Sequence, residues 1–202
     1  MNAIEQRTGR PREARADRAI LDATLALMAD RGVDDLRVDD VAERAGVGKA
    51  TIYRRYRSKD ALITGAVAAL VGEIAVPDTG STEADLLTLM REAVKVYAGT
   101  PAAGAMPSLV AAMHRDPELA RAVREGFLAG RRVALAEVLT RAVGRGDLRG
   151  DLELELALDV LAGPLFYRLL VTGGPIDDAL ARGVVDLLLR GFAPTSRKET
   201  SP

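Results

Sequence analysis

VDDVAERAGVGKATIYRRYRSKDAL, residues 38–62, holds two short apolar-patterned segments joined by glycines. In the first, Val38, Val41, Ala42 and Ala45 recur at helical spacing, and Asp39 and Asp40 fall in the first turn, where the helix dipole favours carboxylates. AGVG interrupts, and a second short helix is expected over about 49–55. A corner between two helices needs a small residue at their contact, which Ala42 supplies. It also needs a residue tolerant of positive φ in the turn, which Gly46 supplies. Val41, Ala45, Val47 and Ile52 would pin both helices to a core. The pattern is that of a helix-turn-helix. Its spacing puts Lys49, Ala50, Thr51, Tyr53 and Arg54 at the start and exposed side of the second helix, the end that enters a major groove in DNA-reading corners.

The side chains there suit that task. Ala50 and Thr51 are small enough for close approach and can meet a thymine methyl. Lys49 and Arg54 reach guanine edges or phosphates, and the hydroxyls of Tyr53 and Tyr56 reach phosphate oxygens. Lys59, with the free amides of the next helix's first turn, offers a further phosphate site. Within 43–60 there are six basic residues (Arg44, Lys49, Arg54, Arg55, Arg57, Lys59) against Glu43 and Asp60, on a chain of net charge −1. Residues 1–60 carry a net +2 and residues 61–202 a net −3. Such a local patch suits a polyanion bound at one place, although charge alone equally describes a solvated face.

Outside this stretch, composition narrows the field. The 202 residues suffice for one large domain or a small one joined to a larger, and 48% hydrophobic content gives ample core. Aromatics are only 3%, so Ala and Leu fill the apolar positions, which favours helices. The absence of cysteine excludes disulfides, thiolate zinc sites and cysteine nucleophiles. The first residues have no apolar run like a signal peptide, and no run approaches about 18 apolar residues. A cytoplasmic protein without a membrane span is expected.

An all-α chain follows. Residues 1–12 read as a loose basic arm carrying Arg7, Arg10 and Arg12. A helix over about 13–31 buries Ile20, Thr24, Leu27 and Met28 and ends at Gly32. Ser58 caps a helix over about 59–75. VPDTGS, 76–81, is the first composition break. Helices are expected over 82–98, 105–114, from Pro117 (capped by Asp116) to about 143, over 152–172 and over 176–191. DLELELALD alternates like a strand, yet no partner strand exists, so it too is assigned to helix. Pro164 should kink its helix. GRGDLRGD reads as a connecting loop and 193–202 as a disordered tail.

ILDATLALMADRG and VDDVAERAGVGKATIYRRYRSKDAL resemble the N-terminal domain of the tetracycline-repressor (TetR) family of bacterial transcriptional regulators, at motif level over about 18–65. The resemblance implies three N-terminal helices with the third as recognition helix, and a helical C-terminal domain that binds a ligand and dimerises. By position, Lys49, Ala50, Thr51 and Tyr53 match groove-facing sites, and Thr51, Tyr53, Arg54, Arg55 and Lys59 match phosphate-facing ones. The implied domains are 1–57, with the arm 1–12, and 58–202. The stretch 151–180 is similar to a branch whose last two helices form the dimer bundle. Two departures stand out: Arg37 replaces the usual Ser or Thr cap, and acidic Asp39 would repel phosphate, so 36–40 receives no DNA role.

Together these features describe a repressor that binds double-stranded, palindromic operator DNA as a homodimer and releases it on binding a small molecule. An activator or architectural DNA binder without an inducer is the alternative. Neither a catalytic residue, a metal site nor a cofactor is assigned; His114 is the only histidine. Met90, Tyr97, Met106, Met113, Phe127, Phe166 and Tyr167 are the large or adaptable groups that could line a cavity, although each is more often core than a ligand contact. Charges around them balance, so the effector is expected to be apolar. Leu165, Leu169, Val184, Leu187 and Leu188 are candidate seam residues of a four-helix dimer bundle.

Overall fold

The computed structural model describes residues 9–194 except 71, 73 and 99, with side chains from Glu13 onward. The expected basic side chains of the arm and the expected disorder of 195–202 lie outside the described residues. Among those described, the regular structure is entirely helical. By packing, the chain forms two compact units: Met1–Gly72 with Gly99–Ala129, and Glu73–Ala98 with Gly130–Pro202.

In the first unit, α1 (Gly9–Arg31) starts four residues earlier than expected. Pro11 falls in its first turn, where a missing backbone N–H leaves no bond unmade. The predicted stripe of Ile20, Thr24, Leu27 and Met28 is buried, and Thr24 returns its hydroxyl to the Ile20 carbonyl at 2.8 Å. Gly32 ends the helix at φ 85°. α2 (Val38–Ala45) and α3 (Lys49–Arg55) form the corner, and α4 (Lys59–Ala69) follows. α4 stops six residues short of the expected end.

α6 (Pro101–Arg115) completes the cover of α1. It is longer than the 105–114 expected, because Thr100 accepts a bond from the Ala102 amide and Pro101 sits at the first helical position. Gly104 lets it come close: a Cβ there would stand 3.0 Å from the Ala29 Cβ. α7 (Pro117–Val123) begins at its predicted Asp116 cap and packs on α4. The single helix expected from Pro117 to 143 instead passes through a π turn at Arg124–Leu128 before α8 (Ala129–Arg145). Its expected buried face of Leu119, Val123, Phe127 and Val138 is buried. Packing thus divides the chain elsewhere than at 57/58, because α6 and α7 cluster with the N-terminal helices.

The second unit contains α5 (Thr82–Tyr97), α8, α9 (Leu154–Tyr167) and α10 (Asp178–Gly191). The alternating stretch is helical from Leu154, and the helix turns to π form at Arg168–Thr172, four residues after Pro164. α10 packs on α5 and α9, with Arg91 of α5 paired to Asp178 at 2.6 Å, and Arg132 of α8 pairs with Asp159 of α9 at 3.1 Å. Asp85 is fully buried and accepts from the Thr79 amide (3.0 Å) and hydroxyl (2.7 Å), fastening the 77–81 turn to the start of α5.

Candidate nucleic-acid interface

The corner is built as the sequence suggested. Gly46 closes α2 in the left-handed region, φ 64°, and its amide and that of Val47 return to Glu43 and Ala42 at 3.1 and 3.0 Å. Arg37 gives α2 no side-chain cap. Val41, Ala42 and Ile52 are buried, so α3 is held by Ile52. The opposite side of α3 is open. Lys49, Ala50, Tyr53 and Arg54 are exposed, Tyr53 to 49%, and Thr51 is half-buried. These positions follow one another at helical spacing, so they form one face.

The cations divide into two groups. Arg31 pairs with Asp40 at 2.7 Å and Arg44 with Asp30 at 2.6 Å, bracing α1 against α2. Arg55 pairs with Asp17 of α1 and donates to the Thr51 carbonyl at 3.3 Å, and its side chain is mostly buried. In this fold Arg55 is therefore turned into the unit, away from the phosphate-facing position the resemblance implied. Tyr56 is also turned inward and packs on Gly65; burial and Asp17 push its phenol pKa up, partly offset by Arg55. Lys59 donates to the Asp34 carbonyl at 2.9 Å, while the Asp34 carboxylate holds Arg115 of α6 at 2.5 and 2.7 Å. Ser58 caps α4 by accepting from the Ala61 amide at 3.0 Å.

Of the six basic residues in 43–60, that leaves Lys49, Arg54 and Arg57. Among the described residues Arg54 and Arg57 have no acidic partner within salt-bridge range, whereas Lys49 reaches Asp39 at 2.7 Å and lies 5.9 Å from the Tyr53 ring centre. The hydrogen bond to Asp39 raises the Lys49 pKa. Arg57 was not among the residues expected at the site, although it follows the second helix of the corner in a basic run. The sequence also carried no signal for Asp17 or Asp34 as partners, since those pairings exist only once the helices pack.

The other candidates fall in both units. Met106 and Phe127 are buried and Met113 half-buried in the first unit; Met90 and Tyr97 are buried, Phe166 half-buried and Tyr167 exposed in the second. Tyr97 and Phe166 meet edge to face at 5.9 Å. Burial pushes the Tyr97 phenol up to about 12, with Arg131 acting against the shift, and burial lowers the Arg131 pKa against Tyr97 and Glu92. Of the expected seam residues, Leu165, Val184 and Leu188 are buried within the protomer, Leu169 is half-buried and Leu187 is 67% exposed. The first three are core of the second unit, where α10 packs on both α9 and α5.

A buried-side anchor, a glycine turn and an open basic face on a short second helix define a helix-turn-helix DNA-binding protein. Residues 20–66 match the model of bacterial regulatory proteins of the tetR family, and residues 76–188 match the tetracyclin repressor-like C-terminal domain. The chain belongs to the TetR family and is a DNA-binding transcriptional regulator. It is 33% identical over 198 residues to the HTH-type transcriptional regulator YdeS of Bacillus subtilis, covering 98% of this chain and 100% of that one. It is 35% identical over 182 residues to the DNA-binding transcriptional repressor TetR of Mycobacteroides abscessus, covering 89% and 95%. The crystal structure of FadR from Bacillus subtilis in complex with stearoyl-CoA has the same fold, with a TM-score of 0.76 at 21% identity over 87% of this chain and 98% of that one. Among the described residues no helix is long and apolar enough to cross a membrane.

Proposed function

We propose that this regulator is a cytoplasmic repressor that binds a near-palindromic operator as a homodimer and is released by an apolar small molecule. The observation that carries the DNA-reading part is the open face of α3, where Lys49, Ala50, Tyr53 and Arg54 stand outward while Ile52 anchors the helix. Thr51 and Lys59 border that face, and Lys59 keeps donors beyond the one given to Asp34. Two copies must present their recognition helices about 34–36 Å apart to meet successive major grooves. An effector that alters this spacing breaks the phosphate contacts of one half-site or the other. The functional division at 57/58 separates the groove-reading segment from the rest and does not require a packing boundary there.

The dimer is proposed to form through α9, the π turn after it and α10. Leu156, Tyr167, Leu170, Val171 and Leu187 leave large apolar surface exposed on those elements, more than isolated surface residues account for. The effector is proposed to contact Tyr97 and Phe166, whose edge-to-face pair offers apolar surface in the second unit. Its apolar character fits the surroundings, where Arg91, Lys95 and Arg132 are already paired with Asp178, Glu92 and Asp159. The repressor relative supports repression by analogy.

The test is selection of genomic fragments by the purified chain, then a titration of apolar metabolites against the selected duplex. A palindromic consensus, and an effector that raises melting temperature while weakening DNA binding by about 5–150-fold, are expected. Effectors that bind yet leave DNA affinity unchanged would instead mark an activator or architectural protein.

A further inference from the structure

An isolated carboxylate at the front of a DNA-reading corner is a liability, which is why 36–40 was set apart from DNA on sequence grounds. The structure changes what that carboxylate is. Asp39, on the first turn of α2, holds the ammonium of Lys49, the first residue of α3, at 2.7 Å. Both groups are exposed, the Lys49 side chain to 50% and the Asp39 side chain to 66%. Neither is needed to brace α1 against α2, since Arg31–Asp40 and Arg44–Asp30 do that. Lys49 also lies near the face of the Tyr53 ring, so its chain is steered from both sides of the corner. The open face of α3 thus begins with a neutral pair of one acceptor group and one donor group.

We propose that Asp39, as a positioning residue acting through Lys49, makes each recognition helix prefer a G·C pair at the step Lys49 faces and keeps Lys49 off the phosphates. This rests on the assignment of α3 as the DNA-reading helix. A lone lysine gains from any phosphate it meets, because it releases a counterion whatever the sequence. Paired with Asp39, it gains little there, and the carboxylate is repelled by the backbone. On a base edge the balance reverses. A G·C pair shows two adjacent acceptors, guanine N7 and O6, beside the cytosine N4 amino donor. The ammonium donates to the first two and the carboxylate accepts from the third. An A·T pair offers no two adjacent acceptors, since the adenine N6 amino donor stands between N7 and thymine O4, so the ammonium keeps only one of its two base contacts there. Asp39 therefore supplies specificity by penalising the wrong contact as well as by accepting from the right one.

The experiment uses the full chain, as wild type, Asp39→Asn, Asp39→Ser and Lys49→Ala, with a randomised duplex library and one scrambled 20-base-pair duplex as probes. Wild type should select a consensus with a G·C pair at one position of each half-site, and Lys49→Ala should lose that preference alone. Both Asp39 variants should lose the same preference while neighbouring positions stay fixed. They should also bind the scrambled duplex about fivefold tighter at low salt, with a salt dependence steeper by about one unit per protomer. Melting temperatures unchanged within a degree or two would separate this from a merely structural effect. If the Asp39 variants select the wild-type consensus with the wild-type salt slope, the proposal is overturned although α3 still reads DNA. If wild type binds no duplex even at low salt, the assignment of α3 itself falls, and this inference with it.

Discussion

A Cβ placed on Gly65 of α4 would stand 2.8 Å from Cε1 of the Tyr56 ring. Tyr56 is the residue that ends α3, and its amide closes that helix on the Ile52 carbonyl at 2.8 Å. The ring therefore lies flat enough on α4 that only a glycine fits beneath it, and the recognition helix takes its position partly from that contact. Gly65→Ala should destabilise the protein by about 1 kcal/mol: the clash costs about 1–3, and the better helix propensity of alanine returns up to about 1. The melting temperature should fall by about 2–4 °C, and DNA binding should weaken too. A variant as stable as wild type would show that the ring moves aside freely.

Neighbouring arginines should behave oppositely. Arg54→Ala should leave the melting temperature unchanged, weaken binding to operator and random DNA alike by about 3–10-fold, and flatten the salt dependence by about one unit. Arg55→Ala should lower stability by about 1 kcal/mol, since it strands Asp17 at the α1 surface, and should leave the salt slope near the wild-type value. Salt titrations of both variants on one duplex, beside thermal melts, separate the two roles.

Tyr97 sets an alkaline limit on the second unit. Its phenol is raised from 10.0 to about 12 by burial, so the folded chain keeps a proton that the unfolded chain gives up. The stabilisation is complete below pH 10 and is lost as the pH rises through 12. A shift of this size corresponds to about 2–3 kcal/mol. Tyr97→Phe should melt with a flatter pH dependence between pH 9.5 and 12 than wild type. Parallel curves would mean that the phenol is not held from water.

Asp85 gives the acid counterpart. Burial pushes its carboxyl up, but the two bonds from Thr79, with Arg141 and Arg145 nearby, outweigh that and leave it below 3.8. Its contribution is therefore present above pH 3.8 and is lost as the pH falls through the lower folded value. Asp85→Asn should melt below wild type at pH 6, and the difference should shrink as the pH falls below 3.8.

Leu187 and Leu188 are adjacent on α10 and point about 100° apart round the helix, 67% and 1% exposed. Leu187→Glu should give a folded protomer that sediments as a monomer at micromolar concentration. Leu188→Glu should lower the melting temperature by about 10 °C or more, because it buries a charge in the core of one protomer. A Leu187→Glu protein that remains dimeric would place the seam elsewhere.

What could be read from the sequence follows the range of the interactions. Gly46, Ser58, Asp116 with Pro117, and the strand-like run that folds as α9 were all legible, because caps, turns and helix propensities act over a few residues. Ile52 inward and Tyr53 outward followed from spacing alone. The pairing of Arg55 with Asp17 was not legible, because Asp17 lies on another helix and no local pattern points to it. Helical spacing says which residues share a face and not which neighbour covers that face, so open Leu187 could not be told from Leu165 and Leu188, which are buried within the protomer. The π turns at 124–128 and 168–172 carry no sequence signal of the kind that a cap provides.

The close approach of Gly104 to Ala29 has a consequence for how such proteins are recombined. The helix that shields α1 begins twenty residues beyond the composition break at 76–81, so a DNA-reading head excised at the end of α4 leaves behind the surface that α6 occupied. Chimeras that graft this head onto another regulator should splice in α6 and α7 as well, or choose a recipient whose own helix carries a glycine where Ala29 must be met. Specificity and shielding are thus inherited together, although the chain writes them in two separate passages.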